Sequence, residues 1–244
     1  KLVENKKFIL ADDMGLGKTT STIIAALESG SKKVLIICPA TLKINWKREI
    51  ENYSDKSIYI AESKNFSTEA DFVIINYDII KNFHDPKKKD DSQVLAAKFD
   101  LVIIDEAHYI KNATAQRTKL INDIVKKTER LWLLTGTPMT SRPIDYFNLL
   151  SLIDSPVAKN WMAYAIRYCQ GYQFNVGGRK VWNVMGASKK MMENVGGFLL
   201  RMFGLKTKAN LPQREVRMCV LGLDNAGKTT ILRSLAHEEI NTEQ

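Results

Sequence analysis

The sequence predicts an α/β fold with a doubly wound parallel sheet, and three observations carry that reading. Six short β-branched apolar runs recur along the first 154 residues: Phe8–Ala11, Val34–Ile37, Ile58–Ile60, Phe72–Ile75, Leu101–Ile104 and Leu131–Leu134. Unbroken apolar runs of this length suit strands buried on both faces, as in a parallel sheet covered by helices. Between the runs lie polar segments with helical spacing, and the first run leads directly into a glycine-rich turn. Strand, turn and helix in alternation is the pattern of a wound parallel sheet.

The elements follow in order. Helices are expected over Thr19–Glu28, closed by Gly30, then over Thr41–Tyr53, Thr114–Lys127 and Pro143–Ile153. The segment Lys81–Ser92, with the charge run Lys87-Lys88-Lys89-Asp90-Asp91, reads as a surface loop. From Ser155 the alternation stops. A basic, mostly helical extension is expected there, with a small hairpin over Tyr172–Val184. The domain reading is therefore 1–154 for the sheet domain, 155–213 for the extension and 214–244 for a distinct tail.

Composition sets the bounds. At roughly 150 residues per domain, 244 residues make one large domain or one domain and part of another. With 45% hydrophobic and 26% charged residues the chain is an ordinary globular one. No apolar run approaches the ~18 residues that span a bilayer, and the first residues lack the apolar stretch of a signal peptide. An intracellular chain without membrane contact is expected. Cys38, Cys169 and Cys219 are far apart and lack metal-ligand spacing, so they read as small hydrophobes.

The net charge is +9 and unevenly spread. Between Ser155 and Gln213 nine basic residues face a single acid, Glu193, interleaved with Trp161, Tyr164, Tyr168, Tyr172, Phe174 and Trp182. Lys and Arg that displace counterions from phosphates bind polyanions without reading sequence. A solvated basic face around a small aromatic core is the other reading of the same composition.

Three motifs carry chemistry. Asp12-Asp13-Met14-Gly15-Leu16-Gly17-Lys18-Thr19-Thr20 lies between a strand and a helix. A phosphate cradle needs small residues so that backbone N–H groups can turn inward, a Lys for the β and γ phosphates and a hydroxyl for Mg²⁺. Residues Asp13, Met14, Gly15, Leu16, Gly17, Lys18, Thr19 and Thr20 are the candidate nucleotide site, although Asp12 stands where the usual spacing has its first glycine. The second motif is an apolar strand ending in Asp105-Glu106-Ala107-His108. There Asp105, with Thr19, would hold Mg²⁺, and Glu106 would take the proton of an attacking water. The third, Leu134-Thr135-Gly136-Thr137-Pro138, is a loop of small hydroxyl residues after another strand.

Together these resemble motifs I, II and III of the superfamily-two helicases, in the wording of the Swi/Snf-type double-stranded-DNA translocases, over residues 1 to about 213. Cys38 to Trp46 is similar to that family's motif Ia, and Lys111-Asn112 and Tyr146-Phe147-Asn148-Leu149-Leu150 fit as well. The stretch from Tyr168-Cys169 to Gly186-Ala187-Ser188 looks like the annealing-helicase subgroup. The resemblance implies a RecA-like P-loop NTPase lobe that uses ATP and Mg²⁺ and moves along double-stranded DNA. It implies catalytic roles for Lys18, Asp105 and Glu106 and coupling roles for His108, Thr135, Gly136 and Thr137. DNA contacts are implied at Asn45, Trp46, Asn76, Tyr77 and Lys111, with Trp46 equally readable as a core aromatic. It further implies an adenine-reading segment before Lys1, a second motor lobe after about residue 213, and nuclear location in a eukaryote.

The tail differs. Gly222-Leu223-Asp224-Asn225-Ala226-Gly227-Lys228-Thr229-Thr230 resembles the opening of Arf-like small GTPases, with Gly222, Gly227, Lys228 and Thr229 as a second phosphate loop. A lone strand, loop and helix cannot bury both faces of its strand, so a stable GTPase is not expected, and a fusion or an artefact is. Two other functions stay open at this point: a GTP-binding module, and a nucleic-acid-binding adaptor whose ATP site is vestigial.

Overall fold

The computed structural model describes residues 3, 5–11, 16–85, 87–88, 91–136 and 142–186. Its centre is one parallel sheet of six strands: β1 (Lys7–Leu10), β2 (Val34–Cys38), β3 (Ile58–Ile60), β4 (Phe72–Asn76), β5 (Leu101–Ile104) and β6 (Arg130–Leu134), in the spatial order β1-β6-β5-β2-β4-β3. The apolar runs explain the layout. Every residue of β2, β4 and β5 is buried, whereas edge strand β3 is half-buried throughout. Only strands apolar on both faces can occupy the centre of a sheet covered by helices.

Alternate residues of each strand sort into two cores. On one face Ile36, Cys38, Ile74, Ile103 and Trp132 pack under α1 (Lys18–Glu28) and α2 (Lys43–Tyr53), which contribute Ile23, Trp46 and Ile50. On the other, Ile37, Ile75, Ile104 and Leu133 pack against α4 (Gln116–Val125), α5 (Phe147–Leu152) and α6 (Trp161–Cys169). The one-turn helix α3 (Gln93–Ala96) precedes β5. A one-residue register slip in β5 would exchange the two cores, so each strand's pairing is fixed by both faces at once.

All six strands stand where the sequence places them, and the helices shift at their ends for local reasons. α4 starts at Gln116 rather than Thr114, because Asn112 Oδ1 accepts from the backbone N and Oγ1 of Thr114 at 3.0 and 2.8 Å and holds a turn there. The expected helix from Pro143 divides into a 3₁₀ turn, Pro143–Tyr146, and α5.

The surface-loop reading of Lys81–Ser92 fits its exposed described residues Lys81, Asn82, Asp85, Lys87, Lys88 and Asp91, but not the three residues that anchor it. Phe83 and His84 are buried, and Ser92 caps α3 by accepting from Leu95 N at 3.1 Å. His84 Nδ1 lies 2.8 Å from Ser92 Oγ, and its Nε2 lies 3.1 Å from Asp123 Oδ2 on α4. This Ser–His–Asp string is buried at its serine, so it pins the segment to α4 and presents no nucleophile.

Past Ser155 the described chain belongs to the same core. Tyr164, Ala165, Tyr168 and Cys169 of α6 are buried there, and the Tyr164 hydroxyl donates to the Pro143 carbonyl at 2.8 Å. The hairpin forms as expected from β7 (Tyr172–Val176) and β8 (Arg179–Asn183). Its two-residue turn, Gly177-Gly178, has φ of 56° and 78°, a pairing that other residues rarely adopt. Trp182 meets Trp161 of α6 edge-on at 5.5 Å and seats the hairpin. Among the described residues no helix is long and apolar enough to cross a membrane.

Candidate functional site

The candidate residues collect at the carboxyl ends of the strands, where ligands bind in open α/β sheets. Lys18 opens α1 after β1, Asp105 and Glu106 follow β5, and Thr135 follows β6, which lies between those two strands. Gly17, with φ 73° and ψ 28°, caps α1 in the left-handed conformation, so the chain swings into the helix at a position that favours glycine. The hydroxyl of Thr20 turns to α2, donating to Glu49 Oε2 at 3.1 Å. Asp13, Met14, Gly15 and Thr137 lie outside the described residues, as do Gly222, Gly227, Lys228 and Thr229.

Asp105 is buried and held by two donors. The indole Nε1–H of Trp46 donates to Oδ2 at 2.8 Å, and the backbone N–H of Glu106 donates to Oδ1 at 2.9 Å. Burial raises the Asp105 pKa above the ordinary carboxylate range and the Glu106 charge adds to this, while the two donors and the nearby Lys18 charge oppose it. The Tyr77 hydroxyl donates to the Asp105 carbonyl at 2.5 Å, bracing the backbone between the two acids.

Glu106 is strained. Its φ of 52° and ψ of 50° put a residue other than glycine in the left-handed region. The turn that follows, Ala107–Ile110, brings His108 back over it, with Nδ1 3.1 Å from Glu106 Oε2 and 3.4 Å from Thr135 Oγ1. His108 stacks on Tyr109 at 4.7 Å, and Tyr109 leans on Tyr77 at 5.4 Å. Arg117 of α4 lies 5.5 Å from both tyrosine rings and pairs with Asp78 at 2.9 Å. Asn148 completes the brace by donating to the Ile110 carbonyl at 2.7 Å.

The expected DNA contacts fare unevenly. Asn45 is exposed on α2. Trp46 is wholly buried and Tyr77 and Asn76 nearly so, which leaves them almost no surface for a DNA backbone. The physical reason is the same for both aromatics, whose polar tips are drawn inward to Asp105. Lys111 pairs with Asp145 at 3.5 Å. Residues 77, 109 and 117 are too far apart in sequence for any local pattern to announce their cluster.

The remaining chemistry is bland. Burial pushes the thiols of Cys38 and Cys169 up to about 12, as expected of inert core cysteines. Among the described residues no three His, Cys, Asp or Glu side chains gather to hold a metal by themselves. A carboxylate and a hydroxyl fit instead a hard ion that arrives with phosphate ligands, as Mg²⁺ does.

Residues 2–243 match the SNF2-related domain family, a stretch that includes the unusual tail. The SWI/SNF-related matrix-associated actin-dependent regulator of chromatin subfamily A-like protein 1 homolog of Caenorhabditis elegans is 33% identical over 70% of this chain and 25% of its own length. The DNA annealing helicase and endonuclease ZRANB3 of Homo sapiens is 30% identical over 99% of this chain and 22% of its own. The chain thus spans about a quarter of the length of these relatives. In fold it is similar to the Sulfolobus solfataricus SWI2/SNF2 ATPase core in complex with dsDNA, with a TM-score of 0.55 at 23% identity over 66% of this chain and 34% of that one. On the match over nearly its whole length, the chain belongs to the SNF2-related domain family.

Proposed function

We propose that this domain binds ATP with Mg²⁺ and hydrolyses it as the first motor lobe of a double-stranded-DNA translocase. The observation that carries the reading is the convergence of Lys18, Asp105, Glu106, His108 and Thr135 at the ends of β1, β5 and β6, with His108 touching both Glu106 and Thr135.

In this reading Lys18 holds the β and γ phosphates, and Thr19 and Asp105 supply oxygen ligands to the metal. Bound Mg²⁺ supplies electrostatic neutralisation of the charge that develops on the phosphate oxygens. Glu106 accepts the proton of the attacking water, with His108 Nδ1 lying 3.1 Å from its Oε2. The contact from His108 to Thr135 links the base to the loop after β6, a route by which hydrolysis and DNA movement are coupled. The strand would run past exposed Asn45 and the basic region after Ser155, where the described residues carry Lys159, Arg167, Arg179 and Lys180 and no acid. In a eukaryote the site of action would be the nucleus.

The relatives' names as chromatin regulators and an annealing helicase support a DNA partner over the GTP-binding and adaptor readings. The test is competition for a bound fluorescent ATP analogue. Displacement by ATP and not by GTP is expected, with Lys18→Ala abolishing the signal. Preferential displacement by GTP would sink the proposal.

A further inference from the structure

We infer that Trp46 is a positioning residue for Asp105, fixing the carboxylate in the orientation that receives Mg²⁺. The inference rests on the proposed role of Asp105 as a metal ligand and goes beyond it, assigning a task to a side chain with no access to solvent or substrate.

A buried indole must find an acceptor for its N–H. Trp132, in the same core and equally buried, does so with a backbone carbonyl, that of Asn5 at 3.3 Å. Trp46 instead donates to a carboxylate at 2.8 Å, a shorter, charge-assisted bond to a side chain that helps build no apolar core. With Glu106 N–H on Oδ1 and Trp46 Nε1–H on Oδ2, each carboxylate oxygen has one donor and keeps a lone pair. The rotamer is therefore set before any ligand arrives. Removing one of the two donors frees the carboxylate to rotate.

The helix that carries Trp46 makes a second attachment. Glu49, one turn further along the same face of α2, accepts from Thr20 Oγ1 at 3.1 Å, and Thr20 follows the proposed metal-binding hydroxyl of Thr19. α2 thus touches the phosphate-loop helix through Glu49 and the acidic turn through Trp46. One helix thus bonds to Asp105 directly and to Thr20, the neighbour of the other proposed oxygen donor, while its own Asn45 faces solvent. Outer partners of this kind typically change metal affinity about 10- to 100-fold when removed.

The experiment measures affinity of the 244-residue chain for a fluorescent ATP analogue with and without Mg²⁺. Trp46→Phe keeps an aromatic ring in the core and deletes the donor. The expected result is a loss of about 10-fold or more in the gain that Mg²⁺ brings, with metal-free affinity unchanged. Trp132→Phe, the control for core volume, leaves the gain intact. In an Asp105→Asn background Trp46→Phe should cost no further affinity for the metal complex. An undiminished Mg²⁺ gain in Trp46→Phe overturns the inference, as does an equal loss with and without metal, which marks a purely structural role. Absence of any Mg²⁺ gain in the unmodified chain would instead remove the ATP–Mg²⁺ reading itself, and this inference with it. A measurement on the unmodified chain removes dependence on variant folding: adding Mg²⁺ to the nucleotide-bound protein should move the Trp46 indole N–H resonance and leave that of Trp132, and a stationary Trp46 signal contradicts the inference.

Discussion

His108 Nδ1 lies 3.1 Å from Glu106 Oε2, so the residue proposed to take the water's proton is in direct contact with the imidazole two positions along the chain. The contact exists because Glu106 adopts a left-handed backbone and the turn behind it doubles back. The same nitrogen lies 3.4 Å from Thr135 Oγ1, which joins the end of β5 to the end of β6 through one ring.

His108→Ala is expected to separate hydrolysis from DNA response. Losing the ring leaves Lys18, Asp105 and Glu106 in place while cutting the link to Thr135. In a protein carrying both motor lobes, basal ATP hydrolysis should fall modestly and DNA stimulation should fall by about 10-fold or more, each tenfold being about 1.4 kcal/mol of lost interaction. Steady-state hydrolysis with and without duplex DNA checks this, and Thr135→Val should reproduce the loss of stimulation.

Glu106→Gly is expected to stabilise the nucleotide-free domain while removing its base. A left-handed conformation costs a non-glycine residue about 1 kcal/mol, partly returned by glycine's greater freedom when unfolded. A small rise in urea midpoint, with hydrolysis abolished, is the predicted outcome. A clear fall in midpoint would mean that the Glu106 side chain holds the turn together.

Acid should weaken the β3–β4 edge through Asp71. Its carboxylate accepts from the Ser57 hydroxyl at 2.7 Å and the Ser57 backbone N–H at 3.0 Å, and pairs with Lys56 at 3.2 Å. These contacts, the Ser57 hydroxyl foremost, lower its pKa below the ordinary value of 3.8. A carboxylate whose folded pKa is depressed contributes stability that is full above the unfolded pKa and lost as pH falls through the folded one. Asp71→Asn should therefore be less stable than the parent at pH 6, and the difference should shrink below 3.8 toward pH 2.5, as read by denaturant titration at each pH.

Much of this architecture is written in the sequence, and the reason is physical. β2, β4 and β5 are buried at every position because they are covered on both faces, and apart from Asn76 at the end of β4 they are apolar throughout, so the runs at Val34, Phe72 and Leu101 announce central strands. Asp105, Glu106 and Thr135 directly follow strand ends and Lys18 opens the helix after β1, and local spacing finds them. What local spacing cannot show is which way an amphipathic ring points. Trp46 and Tyr77 have apolar bodies and polar tips, and only the tertiary fold turns those tips inward to Asp105. His84 was equally hidden, because its partners Ser92 and Asp123 come from separate elements. The start of α4 at Gln116 and the divided helix at Pro143 reflect turn chemistry, which sequence periodicity registers only to within a few residues.

The central claim is that Glu106 is the proton acceptor of an ATP hydrolysis whose substrate Lys18 helps to hold. The most direct measurement is DNA-stimulated ATP hydrolysis by Glu106→Gln in a protein carrying both motor lobes, with ATP affinity measured in parallel on Glu106→Gln and Lys18→Ala. An amide keeps the shape of the carboxylate and cannot accept the proton, so hydrolysis should fall by about 10² to 10⁴ while ATP still binds. Lys18→Ala should lose binding itself. Near-normal turnover in Glu106→Gln would contradict the account.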